Sequence, residues 1–310
     1  MLIAVCICTF RRPDRLAETL RGIARLRFKR CPPPALHLIV VDNDGNDATR
    51  AVVDAFAAPD IPIDYAVEKR RGISSARNAC LDRVPATASF IAFLDDDVVP
   101  RESWLEELLQ ALHCTEAEAA TGPYVPVYDP GTAQWIRTGR FFASPRAKSP
   151  QNLASVDFGV MGNFLIRSSL VRSAGLRFDV RLGLIGGEDR KFFNDVFAAG
   201  GRVVWAGDAI VDHHIAPERL SFAYIVRREF GVGCAAAILK RGAPLSGIRL
   251  VGYGAYVTAK LLLKLVLLAP NALLAAIRHN AFRRVKPVLE IANLSGRLYG
   301  LCGMKYEVYR

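Results

Sequence analysis

Apolar positions in the first 120 residues follow two alternating patterns. Leu2–Cys8 is an almost unbroken apolar run and predicts a strand covered on both faces. Arg15–Leu26 carries Leu16, Leu20 and Ile23 at helical spacing. The alternation continues: Leu36–Val41 predicts a strand, Ala48–Phe56 a helix, Ile63–Val67 a strand and Ser74–Leu81 a helix. Phe90–Leu94 is a fully apolar strand running straight into Asp95-Asp96-Asp97, and Trp104–Leu112 is again helical. Such alternation predicts an α/β chain with a single Rossmann-like, mostly parallel sheet flanked by helices. In open sheets of this kind ligands sit beyond the carboxyl ends of the strands. The polar clusters after Cys8, Val41 and Leu94 all fall there.

Further along the pattern weakens. Residues 120–160 are punctuated by proline and glycine and read as a loop-rich crossing segment. Phe158–Ile166 predicts a strand and Asp189–Ala198 a helix opened by Gly186-Gly187-Glu188-Asp189. Val203–Trp205 and Ala209–Val211 read as short strands leading to His213 and His214. From Ser221 the chain is apolar but interrupted: Tyr253–Leu268 holds Lys260 and Lys264, which share a helical face at i, i+4. A spanning helix needs about 20 largely uninterrupted apolar residues. The segment is therefore read as an in-plane amphipathic element, or as a helix packed on the catalytic core, continued by Ala272–Ile277 and followed by the basic cluster Arg278, Arg283, Arg284 and Lys286. A division follows: 1–220 nucleotide-binding and catalytic, 221–310 helical, basic and membrane-associating or acceptor-binding.

Charge sharpens that division. The net charge is +11, yet residues 1–218 carry 26 Lys and Arg against 27 Asp and Glu, and residues 219–310 carry 15 against 3. A basic region that is also strongly apolar favours an anionic membrane surface over nucleic acid as partner. The seven cysteines are scattered and form no C-x-x-C pair, so neither a zinc site nor a disulfide framework is expected, and a reducing cytosol fits. The apolar start lacks a basic leader and a cleavage site and reads as the first strand.

Three adjacent carboxylates at a strand tip repel one another unless a cation neutralises them. Oxygen ligands suit Mn²⁺ or Mg²⁺, which commonly join protein carboxylates to substrate phosphates. The triplet, which includes Asp95 and Asp97, is a candidate ligand set or an exposed acidic turn, and His213 or His214 could complete a metal shell or be structural. Asp42 ends the neighbouring strand, either to accept from a base or ribose or to form a turn with Asp44 and Gly45. Arg70–Asn78 places Gly72, small residues and Arg77 at a helix start, suited to an anion or to capping by Ser74 or Ser75. Glu188 and Asp189 sit at another loop-to-helix junction, where a carboxylate can act as general base or cap the helix.

In order, Ile7-Cys-Thr-Phe-Arg11 with Pro13, Val41-Asp-Asn-Asp44, Gly72…Ala76-Arg77-Asn78, Leu94-Asp-Asp-Asp97 with Pro100, Gly162-Asn163…Arg167 and Gly187-Glu-Asp189 resemble the inverting family 2 glycosyltransferases of the GT-A fold. The resemblance spans roughly residues 3–215. It implies that Thr9, Arg11 and Asp42 line a nucleoside pocket, with Arg77 nearby. Asp95 and Asp97 are implied to form the D-x-D pair, with Asp96 between them in the nucleotide site. Asp189 is the implied base, with Glu188 beside it, and Gly162 and Asn163 border the donor sugar. The implied reaction is a single in-line displacement from a nucleotide-sugar donor, most often uridine-linked. Residues 212–228 look like bacterial exopolysaccharide transferases of the succinoglycan kind. That implies a glycan or polyprenyl-diphosphate-linked acceptor and a peripheral position on the cytoplasmic side of the membrane. The Q-x-x-R-W signature of processive synthases is absent, which implies one sugar per encounter.

Two alternatives stand beside this reading. A sugar nucleotidyltransferase shares the layered plan but wants a glycine-rich, lysine-containing phosphate loop, which Thr9-Phe-Arg-Arg-Pro13 is not. A non-catalytic membrane scaffold binding sugar nucleotides keeps the acidic triplet but has no use for Glu188-Asp189.

Overall fold

The computed structural model describes residues 1–56, 58, 60–144, 150–242, 247–267 and 281–307. The first half alternates as its pattern demands: β1 (Leu2–Thr9), α1 (Pro13–Ala24), β2 (Ala35–Asp42), α2 (Asp47–Asp54), β3 (Ile63–Val67), α3 (Ile73–Leu81), β4 (Phe90–Asp95), β5 (Val98–Pro100) and α4 (Trp104–Thr115). There follow β6 (Ala119–Thr121), β7 (Tyr124–Val127), α5 (Gln134–Gly139), β8 (Ser155–Val156), β9 (Asn163–Arg167), α6 (Ser168–Ser173), α7 (Glu188–Ala198), β10 (Val203–Trp205) and β11 (Val211–His214).

Eight strands form the main sheet in the order β3-β2-β1-β4-β9-β6-β10-β8. It is mostly parallel, but β9 runs antiparallel to both β4 and β6, and β8 antiparallel to β10. A second small sheet orders β5-β11-β7. The apolar strands are covered on both faces, which is why they read as unbroken runs. In β1, Ile3, Val5 and Ile7 pack with Leu16 and Leu20 of α1 and Leu105 and Leu108 of α4. Ala4 and Cys6 face the opposite core, with Ala76 and Cys80 of α3 and Phe192 and Val196 of α7. Register then fixes the site: Thr9 pairs with Asp42, Cys8 with Asp95, and Leu94 with Asn163, so these residues emerge along one edge.

The structure departs from the sequence reading in several places. The strand expected from Phe158 begins at Asn163, and the one expected at Ala209–Val211 lies at Val211–His214, so both histidines are in the strand rather than after it. The crossing segment holds β6, β7, α5 and β8, none longer than six residues and so too short to show a period. Neither Ser74 nor Ser75 caps α3. Gly72 does, at φ 118°, with the Gly183 backbone 3.2 Å from where a β-carbon would sit, while both serines are buried inside the helix.

Chain contacts divide the molecule into two compact units. One is Met1–Val127, Phe142–Gly183 and Glu188–Ile215; the other is Tyr128–Phe141, Leu184–Gly187 and the chain from Ala216. The second unit contains α5, α8 (Phe222–Gly242), α9 (Gly247–Val266) and α10 (Ala281–Leu301). Helices α8 and α10 meet along a glycine seam. A β-carbon on Gly233 would stand 2.0 Å from the Asn293 carbonyl oxygen, and one on Gly296 2.0 Å from that of Phe230. Lys264 was expected on a shared face with Lys260; it instead turns inward to pair with Glu290 of α10. The expected segment Ala272–Ile277 and Arg278 lie outside the described residues, as do the side chains of Arg283 and Arg284. No helix among the described residues is long and apolar enough to cross a membrane.

Candidate functional site

Each acid of the triplet is held by its own set of partners, with Arg12 bridging the last two. Asp95 accepts from the Tyr124 hydroxyl at 2.6 Å and from Arg77 Nη2 at 3.4 Å. Asp96 turns inward, 5% exposed, and accepts from the Thr9 hydroxyl at 2.8 Å and from Arg12 at 3.3 Å. Burial, followed by the charge of Asp97, pushes Asp96 up to about 7. Asp97 turns to the other side, where Arg12 lies 3.0 Å from Oδ2 and His213 Nε2 lies 3.7 Å from Oδ1. The backbone beneath is pinned as well: the Thr19 hydroxyl of α1 donates to the carbonyls of Asp96 and Val98, and the His214 amide donates to that of Asp97.

Beside this tip, Arg77 joins two motifs. Its guanidinium is 5% exposed and pairs with Glu188 at 3.1 Å, with Asp189, and with Asp95. Burial works against its charge, but Asp189, Asp95 and Glu188 together hold it well above the ordinary arginine value. The plane lies over the Phe178 ring at 5.4 Å, and the Asn78 side-chain amide fixes Phe178 through both its backbone amide and carbonyl. Arg77 thus faces carboxylates rather than an open anion.

The two acids at the start of α7 differ sharply. Glu188 is buried with one oxygen on Arg77, and burial with the neighbouring charge of Asp189 pushes it up to about 8. At neutral pH it keeps its proton. Asp189 has 43% of its side chain exposed and is the acid of the pair that meets solvent.

Other expected residues are placed as follows. Asp42 is fully buried and accepts from the amides of Asp44 and Asn46 and from the Tyr65 hydroxyl, which makes it the turn former of its loop. Burial, then Asp42, pushes Tyr65 up to about 12. Thr9 is buried and its hydroxyl is given to Asp96. Arg11 is exposed at φ 56°, pairs with Asp44 at 2.9 Å and stacks on Phe10. Gly162 is where Asp95 and Tyr124 need space: a β-carbon there would lie 1.9 Å from the tyrosine oxygen and 2.3 Å from the Asp95 carboxyl carbon. Asn163 is fully buried and ties the Trp104 indole to the carbonyls of Pro123 and Ala209.

Sequence reasoning missed Arg12 and Tyr124. The doubled arginine before Pro13 was the available signal for Arg12, since neighbouring side chains at a strand end leave in opposite directions. For Tyr124, in a segment without period, the chain offered none.

Among the described residues, no three His, Cys, Asp or Glu side chains are grouped to hold a cation unaided. Two donors are in place, however. His213 Nε2 and Asp97 Oδ1 face each other across 3.7 Å, too far for a hydrogen bond, and His213 Nδ1 is buried without a partner. An oxygen and an imidazole nitrogen with room between them fit Mn²⁺ or Mg²⁺ completed by phosphate oxygens.

The model of the family described as glycosyl transferase family 2 matches residues 4–173. The chain belongs to that family. It is 36% identical over 234 residues to the succinoglycan biosynthesis protein ExoM of Rhizobium meliloti, covering 74% of this chain and 72% of the relative. Among solved structures, the mannosyltransferase PcManGT of Pyrobaculum calidifontis, in complex with GDP-Man and Mn²⁺, aligns with a TM-score of 0.66 at 17% identity over 96% of this chain and 86% of that one. S. aureus TarS 1–349 in complex with UDP aligns at 0.54 and 16% identity, over 95% and 90%. The likeness of these glycosyltransferases shows the fold, GT-A, with β9 and the edge strand β8 as the strands that depart from a purely parallel sheet.

Proposed function

We propose that this glycosyltransferase moves a sugar from a nucleotide diphosphate donor to an acceptor hydroxyl by a single inverting displacement, with Asp189 as base. The observation carrying this reading is the shared guanidinium of Arg77. It holds Asp95 at the strand tip and Asp189 at the helix start, so a carboxylate exposed to an acceptor lies one side chain away from the acidic triplet. Glu188 keeps its proton and is enclosed, which leaves Asp189 to take the acceptor's proton as the hydroxyl attacks. Arg77 fixes the direction in which that carboxylate points. Asp97 and His213 would hold a divalent cation, which when bound neutralises the developing charge of a diphosphate leaving group. Thr9 and Arg12 hold the inner and outer acids of the triplet in their separate directions.

A role in polysaccharide assembly is supported by ExoM, whose name places it in succinoglycan biosynthesis. We read the donor as uridine-linked, which the complex of TarS with UDP supports, while PcManGT carries GDP-Man. The acceptor is read as a lipid-linked glycan. The basic second unit supports it by suiting the anionic, cytoplasmic face of a membrane.

The test is release of nucleoside diphosphate from a panel of nucleotide sugars with Mn²⁺ or Mg²⁺. One donor should be hydrolysed slowly and only with metal, and Asp97→Ala should abolish the release. Asp189→Asn should retain donor binding and lose transfer by about 10²-fold or more. Donor binding without turnover under any condition would favour a scaffold, and no donor binding with metal present would sink the metal-and-diphosphate reading.

A further inference from the structure

Among the described residues of the second unit, one face of α9 is strongly exposed. In α9, Val257 is buried, and Tyr253 and Lys264 are also turned inward: Tyr253 accepts from Arg297, and Lys264 pairs with Glu290, both on α10. At 3.6 residues per turn, the opposite side carries Ile248, Val251, Ala255, Ala259, Leu262 and Val266 in one stripe. These positions are open rather than half-covered: Ile248 is 86% exposed, Val251 73% and Val266 74%. Along one edge of the stripe run Arg249, Tyr256 and Lys260, with the Lys260 ammonium reaching the Tyr256 hydroxyl at 3.5 Å. An apolar stripe this exposed marks an interaction surface.

We propose that this face of α9 lies in the interface of an anionic bilayer, the helix parallel to the membrane plane, with Arg249 and Lys260 at the headgroups. The inference rests on the membrane reading above and goes beyond it by naming the face and its orientation. Three features select a bilayer as occupant. The stripe is flanked by cations, and α9 contains no Asp or Glu. A tyrosine and a lysine sit together at the boundary between apolar and polar sides, where amphipathic side chains place their polar ends in water. A second copy docked face to face through α9 would set arginine and lysine rows against each other with no acid on either helix to answer them.

Cosedimentation of the whole protein with vesicles tests this, using phosphatidylcholine alone and phosphatidylcholine mixed with phosphatidylglycerol. Wild type should pellet with the mixed vesicles. Val251→Asp combined with Leu262→Asp should lower partitioning about tenfold or more while leaving donor hydrolysis unchanged, since both positions are exposed. Lys260→Glu should give a smaller loss, seen only on mixed vesicles. Wild type remaining in the supernatant, or the double variant pelleting equally well, would overturn the proposal. So would a wild-type dimer by light scattering that the double variant renders monomeric, since that assigns the face to a second copy. If wild type binds vesicles but hydrolyses no donor, the transferase reading fails and the membrane face stands.

Discussion

Asp95, Asp96 and Asp97 are adjacent in the chain but are held by different sets of partners, with Arg12 shared by the last two. Their need for compensating groups was legible because a charged triplet at the end of an apolar strand is costly without them. Glu188 and Asp189 were legible for a similar reason, as paired acids at a helix start. Their compensating groups were not. Arg12 lies more than 80 residues from the acids it holds, and Tyr124 lies 29 from Asp95, separations that no local pattern records. Asp42 illustrates the opposite case: as a site residue it was one of two options, and its carboxylate is spent on its own turn. Glu188 makes a measurable prediction. Its folded value of about 8 stands above its ordinary 4.5, so the folded protein binds a proton that the unfolded chain releases. The stability from this group is full below 4.5 and is lost as pH rises towards 8. Thermal melts across that window should show wild type losing stability with pH, and Glu188→Gln losing less. Parallel slopes would show that Glu188 ionises normally.

Elements were legible in proportion to their length and period. The long apolar strands and the helices α1, α2, α3, α4 and α7 were found within a few residues of their true ends. The reversed strand β9 was found, but its direction was not, because a buried strand reads alike in either direction. Helices α8 and α10 fall within the region read as helical, but their separate bounds were not drawn, for another reason. Their contact is built on Gly233, Gly296 and Gly300, so closeness replaces large apolar side chains and the usual period fades. This gives a test at the level of helix packing. Gly296→Ala should destabilise the protein by about 1–3 kcal/mol in denaturant unfolding, since its β-carbon would strike the Phe230 carbonyl. Gly252→Ala, with nothing within 4 Å, should instead be neutral or stabilise by up to about 1 kcal/mol. Equal effects would remove the seam argument.

Across the whole chain, charge is partitioned more sharply than structure. Nearly all the excess positive charge lies after residue 218, while the acidic triplet and the Glu188–Asp189 pair lie before it. Raising salt from about 0.1 M to about 1 M shortens electrostatic reach from ~10 Å to ~3 Å. Vesicle binding should therefore fall severalfold over a salt series and level off at a remainder held by the apolar face of α9. Binding indifferent to salt would show that the cations contribute nothing. This division was visible in composition alone; which lysine faces outward was not, since Lys264 is claimed by an acid 26 positions away.

Arg77 has a consequence for the order of events. One guanidinium serves both Asp95 and Asp189, so whatever draws Asp95 away changes how tightly Asp189 is held. In the proposed reaction, donor binding beside Asp95 and acceptor binding at Asp189 are then coupled through one balance, and each would shift the other's affinity by the same free energy. A donor that draws Asp95 off Arg77 leaves that guanidinium to hold Asp189 more firmly, so arrival of the sugar to be moved would fix the direction of the proposed base before the acceptor is engaged.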